Sequence, residues 1–215
     1  MRSVMLLTVA ALMFGGVAHA QSAPADDSGY VEGVAQSAFG NVTSQSYGVE
    51  AGFNVAPHVQ IFGEVGQTRN VAPSTLGAAA QTIAGALAQT QGNVSFTAKE
   101  PVNFFAAGVK YLFLIDGSKA VPYVLGGFGI ARLKRDVAFS VGGTDVTGSL
   151  QQFNIVLGTD LSGTSTRPML TVGAGVTYPI WRHLGIDGQF RFGRIFAEEQ
   201  GINAARAGLG IGVRF

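Results

Sequence analysis

Eight ionisable residues of this 215-residue sequence fall on one parity of a two-residue repeat: the acids Glu32, Glu50, Glu64 and Asp187, and the bases Lys110, Arg191, Arg206 and Arg214. Such a set has two uses. It can neutralise itself as a salt-bridged interior, because charges withdrawn from water must pair or suffer a large desolvation cost. Alternatively, a pair such as Glu64 and Arg191 can exchange partners and gate a narrow wet path for ions. Hydrolytic chemistry needs a positioned base, and the only histidines are His19, His58 and His183. The first sits in the N-terminal leader and the other two in short connections, while the acids stand on separate strands with no neighbouring base. Cysteine is absent and the histidines are isolated, so no metal-ligand spacing and no disulfide arises. No enzyme activity, metal or cofactor is expected.

Weaker motifs do not change this. Gly126-Gly127 and Gly208-x-Gly210-x-Gly212 lack the helix and lysine that a phosphate-cradling loop requires. The N-x-S/T matches at Asn41 and Asn93 carry no weight.

The elements that hold the eight charges read as strands. In Gly208–Phe215, Leu209, Ile211, Val213 and Phe215 alternate with Gly208, Gly210, Gly212 and Arg214. The same period runs through Tyr47–Val55, Val59–Gly66, Phe104–Phe113, Leu170–Tyr178 and Leu184–Phe192, and more weakly through Val31–Phe39 and the Gly-rich Tyr123–Arg132. These make about eight strands of the length a tilted membrane crossing needs. All eight charges share the Gly-rich parity and none the apolar one. A soluble barrel would enclose its apolar face; here the polar face must be the enclosed one. A base on a lipid-facing position at mid-bilayer costs roughly 2–4 kcal/mol, and a sheet in lipid must close because free edges would leave backbone groups unpaired.

Composition agrees. Charged residues make up 13% of the chain, Gly numbers 31, and the mean hydropathy is +0.30. Beyond Ala20 every apolar stretch is interrupted before the roughly 20 residues a membrane helix needs. Residues 1–20 read as a secretory signal peptide: Arg2, an apolar run from Val4 to Phe14, and Ala18-His19-Ala20 as the cleavage site. Residues 21–29 form a polar periplasmic lead-in, and 30–215 the barrel domain. Apart from Arg2 the bases equal the 13 acids in number, a balance that gives no support for nucleic-acid binding.

Connections alternate in length. Ala56–His58, Ile115–Lys119 and Pro179–His183 are short, whereas 69–101 and 133–166 are long, the pattern of short periplasmic turns and longer outer loops. With an even strand number both termini lie in the periplasm. Aromatics then sort into an outer belt (Phe39, Tyr47, Phe105, Phe190, Phe192) and a periplasmic one (Phe53, Tyr111, Phe113, Tyr178, Trp181, Phe215). In the uncharged stretch Val71–Ala98, Leu76, Ala79, Ala80, Ile83, Ala84 and Leu87 follow helical spacing. Two readings stay open there: a helix at the outer surface that meets lipid or a partner, or an Ala-rich loop of no fixed shape.

The leader, the stretch PYVLGGFGIARL at Pro122–Leu133 and the closing GLGIGVRF ending in Phe215 resemble the outer-membrane β-barrel domain family, which includes OmpA-type and OmpX-type proteins. The resemblance implies an all-β, eight-stranded antiparallel transmembrane barrel of up-and-down meander topology in the bacterial outer membrane. It further implies that the last strand with Phe215 is the signal read by the barrel-assembly machinery. No peptidoglycan-binding domain is expected after the barrel. His58 and His183, in periplasmic turns, cannot meet outer-leaflet lipid as catalytic groups. The expected function is a structural or surface-interaction role, with outer-membrane lipid and lipopolysaccharide as surroundings and a host or surface ligand reached through the outer loops. A small passive or gated pore is the alternative, and a carrier of small hydrophobic ligands the third reading.

Overall fold

The computed structural model describes residues 28–40, 42–153, 155, 157–158, 161–197 and 201–215. The expected leader, most of the lead-in and Asn41 lie outside them. The chain order is β1 (Gly29–Phe39), β2 (Ser44–Ala56), β3 (Val59–Thr68), α1 (Ser74–Gln91), β4 (Val94–Lys99), β5 (Val102–Leu112), β6 (Val121–Val141), β7 (Thr144–Asp145), a 3-10 turn (Thr147–Phe153), β8 (Gly163–Pro179), β9 (Leu184–Ile195) and β10 (Ile202–Arg214).

Eight of these strands, all but β4 and β7, make a closed antiparallel ring. Neighbours in the chain pair with one another, β3 pairs β5, β6 pairs β8, and β10 returns to β1 from Tyr30↔Arg214 to Phe39↔Ala205. Gly29 and Phe215 lock the seam with reciprocal backbone bonds of 2.8 and 3.0 Å. Closure leaves the ring no free edge. Each expected strand segment falls inside one of the eight, except that Phe113 and Phe215 lie one residue beyond the ends of β5 and β10.

The alternation has the expected sense. Phe128, Leu209 and Ile211 are 74%, 66% and 61% exposed on the outside, while Glu50 and Arg191 are 0% exposed on the inside. All eleven aromatics assigned to the two belts are exposed. Glycine serves the enclosed face: a Cβ on Gly52 would lie 2.6 Å from the Tyr30 ring, so the ring can rest on the backbone only because that side chain is missing.

The barrel has a turn end, with the links β2–β3, β5–β6 and β8–β9, and a loop end. There β6 outruns the ring. Its residues Asp136–Val141 pair with β4, and Ser140–Val141 pair with β7. The 69–101 segment is thus a helix and a strand, not a shapeless loop. Ala-rich sequence favours the helix, Pro73 precedes it, and Gly92 ends it at φ 59° with its N–H bonded to Ala88 O. Leu76, Ala80, Ala84 and Leu87 pack on Val137 and Phe139 of β6, Leu150 and Leu161; Ile83 is partly buried, while Ala79 of the expected series faces out. This cap has a core of its own. The 133–166 connection is likewise shorter than expected, because β6 and β8 extend into it.

The 69–73 segment straps the cap down. Arg69 N–H and Asn70 N–H donate to Gln45 O and Ser44 Oγ, and Asn70 Oδ1 accepts from Ala72 and Glu100 N–H. Buried Glu100 receives Arg135 Nε at 3.3 Å.

Candidate functional site

Strand register brings like charges together. Glu32 lies directly opposite Glu50, Glu50 opposite Glu64, and on the far wall Arg206 opposite Arg191. Adjacent like charges repel, so the row of carboxylates on β1–β3 is stable only if cations reach it across the lumen. They do. Arg191 donates from Nη1 to Glu64 Oε2 at 2.8 Å and from Nη2 to Glu50 Oε2. Arg206 forks onto both Glu64 oxygens at 3.0 and 3.2 Å, and Lys110 Nζ, from β5, donates to Glu50 Oε1 at 2.8 Å. Every carboxylate oxygen of Glu50 and Glu64 is thereby engaged.

Aromatic rings carry part of the load. Lys110 Nζ lies 4.6 Å from the Tyr30 centroid and 4.3 Å from that of Tyr123, and the Arg206 guanidinium 4.3 Å from that of Phe104. Tyr30 donates to Glu50 at 2.5 Å and Tyr123 to Asp187 at 2.7 Å. Gln189 takes the Arg191 Nε–H on Oε1 and extends Nε2 toward Glu32 at 3.5 Å.

The set is not a four-to-four pairing. Three bases serve two acids; Glu32 and Asp187 have no ion-pair partner among the described residues and rely on Gln189 and Tyr123. Arg214 stands apart at the partly exposed turn end, beside Gly185. The reason is the barrel's stagger, which decides where facing residues meet and is invisible to a face assignment. Tyr30, Phe62, Phe104, Tyr123 and Gln189 were not anticipated. Parity with Glu32 and Lys110 marks Tyr30 and Phe104 as inward, whereas β6 is so rich in Gly that Tyr123 had no such marker.

The rest of the lumen is filled. Toward the loop end Val71, Val102, Phe104, Met169 and Ile195 cluster with Leu133, and the first five line a cavity of ≈ 20 Å³, room for about one water. Toward the turn end Phe62, Tyr123 and Leu125 form a second apolar cluster.

His58 and His183 sit in the β2–β3 and β8–β9 turns, each with Nδ1 against a backbone carbonyl, of Leu112 at 3.0 Å and Arg214 at 3.1 Å. Among the described residues no group of three or more His, Cys, Asp or Glu could hold a metal, and no helix is long and apolar enough to cross a membrane, a statement that does not bear on strands.

No curated protein sequence matches the chain significantly. Solved structures do. Neisserial surface protein A is 15% identical with a TM-score of 0.53, over 87% of this chain and 96% of that one. The N-terminal β-barrel domain of Pseudomonas aeruginosa OprF is 17% identical with a TM-score of 0.53, over 88% and 98%. A major outer membrane protein from Thermus thermophilus is 12% identical with a TM-score of 0.52, over 87% and 99%. At such identities the likeness shows a fold. The family model for the outer membrane protein beta-barrel domain matches residues 7–215, so this chain, with its closed ring, apolar exterior and ionic lumen, belongs to that family of bacterial outer-membrane barrels.

Proposed function

We propose that this barrel is a non-conducting structural scaffold that displays a folded cap at the cell surface for contact with a host or surface ligand. The observation that carries this reading is the filled lumen beneath a cap with its own core. Both termini then lie in the periplasm, the leader is cleaved after Ala20, residues 30–215 form the barrel domain, and Phe215 ends the strand read by the assembly machinery. The eight charges act structurally, seven in the buried layer and Arg214 near the turn end. Catalysis is not part of this reading, since both retained histidines lie at the turn end and hold backbone carbonyls.

A gated pore is the second reading, and the shared position of Arg191 between two acids favours it over a hydrophobic carrier, for which the ≈ 20 Å³ cavity is too small. Planar-bilayer recording of the refolded protein separates the two: the scaffold gives no single-channel events in wild type or in Glu64→Gln, and events that change with that substitution establish the pore. Deleting Thr75–Gln89 tests the cap. Loss of adhesion or serum resistance with an intact barrel supports surface contact, and unchanged behaviour leaves the cap a spacer.

A further inference from the structure

On two strands, β6 and β9, the outward face stays uncharged for a constant distance from the turn end and then turns cationic. On β6 the outward residues after Pro122 are Val124, Gly126, Phe128 and Ile130, followed by Arg132; on β9 the run from Leu184 through Phe192 ends at Arg194. Each base stands ten residues beyond the first outward position of its strand. At about 3.3 Å per residue and a tilt of about 40° that interval rises about 25 Å, the height of a barrel's apolar band. Both arginines therefore stand at the far membrane interface, and Lys134 one step above it.

Among the described residues these cations are uncompensated. Arg132, Lys134 and Arg194 are exposed, and none pairs with a carboxylate among the described residues. The one outward acid on β6, Asp136, lies opposite Lys99 of β4. Between β6 and β9 runs β8, which sets Thr166 and Thr164 opposite Arg132 and Lys134 as hydroxyl donors. Below them Phe128 and Ile130 are 74% and 54% exposed.

We propose that this β6–β8–β9 face binds the phosphate groups of an outer-leaflet glycolipid, with Arg132, Lys134 and Arg194 on the phosphates and Phe128 and Ile130 against the acyl chains. It rests on the reading that the loop end faces the cell exterior. Cations at an anionic membrane surface, next to threonine hydroxyls and above an apolar wall, match a phosphorylated lipid in charge and in layering.

The test uses the full chain refolded in detergent micelles, titrated with diphosphoryl lipid A and with the same lipid stripped of both phosphates. Wild type binds the phosphorylated lipid more tightly, and the preference shrinks as salt rises. Each cation removed in the Arg132→Ala/Lys134→Ala/Arg194→Ala variant costs about fivefold, so the triple variant loses the preference. Arg132→Lys/Arg194→Lys keeps most of it, and Lys119→Ala/Arg182→Ala at the turn end keeps it all; a heat-modifiable gel shift shows that each variant is folded. The site is overturned if wild type shows no preference, if the folded triple variant retains it, or if millimolar inorganic phosphate displaces the lipid. Protease treatment of intact cells tests the orientation separately. Protection of α1 overturns the outer-leaflet assignment even where micellar binding persists, whereas cleavage without lipid preference overturns the site alone.

Discussion

Arg191 of β9 is bonded to both Glu50 and Glu64, two acids that stand side by side on β2 and β3. Among the described residues it is the one base that holds both. Lys110 reaches only Glu50, and Arg206 only Glu64. Removing one partner of a buried pair costs about 3–5 kcal/mol, because a charge is left unpaired out of water. Arg191→Met is therefore expected to lower stability by that amount in urea unfolding from lipid vesicles. Lys110→Met costs less, since Glu50 keeps Arg191; equal losses would show that Arg191 is not the shared partner.

The cap and the ring should fail separately. Phe139 is 0% exposed within the cap cluster, which is separate from the two apolar clusters of the lumen. Phe139→Ala is expected to cost about 3–5 kcal/mol locally, exposing α1 to limited proteolysis while the heat-modifiable gel shift persists. Loss of both together would mean that cap and barrel fold as one unit.

Two glycines of β3 give opposite predictions. A Cβ on Gly66 would lie 2.5 Å from Phe104 Cζ, whereas one on outward-facing Gly63 meets nothing within 4 Å. Gly66→Ala must push Phe104 off its site, an overpacking worth about 1–3 kcal/mol. Gly63→Ala is expected to leave the unfolding midpoint unchanged, and the comparison of the two midpoints is the measurement.

Glu100, outside the membrane-spanning segments, is held above the ordinary carboxylate range by burial, which outweighs the neighbouring Arg135. A raised pKa means that the folded state favours the neutral acid. Its stabilising contribution is full below the ordinary carboxylate range and is lost as pH rises through the elevated value. Hydrogen exchange in α1 and β4 should accordingly quicken with rising pH, after correction for intrinsic rates, and Glu100→Gln should flatten that dependence. A profile identical in the two proteins would remove Glu100 as the cause.

Ring, strand positions and the direction of each face were legible in the residues, because alternation has a period of two and lipid excludes charge from one side of every strand. Glu32, Glu50, Glu64, Lys110, Asp187, Arg191 and Arg206 could thus be placed inside from parity alone. Which of them touch could not. Partners such as Arg191 and Glu64 are 127 residues apart in the chain and meet through the stagger of a closed barrel, a property of all eight strands together. The same holds for the cap: helical spacing in 76–87 indicated an amphipathic segment, but only the overlong β6 supplied Val137 and Phe139 for it to bury. Local periodicity records which side of a strand meets lipid; contact across a lumen depends on closure, and closure belongs to no single segment.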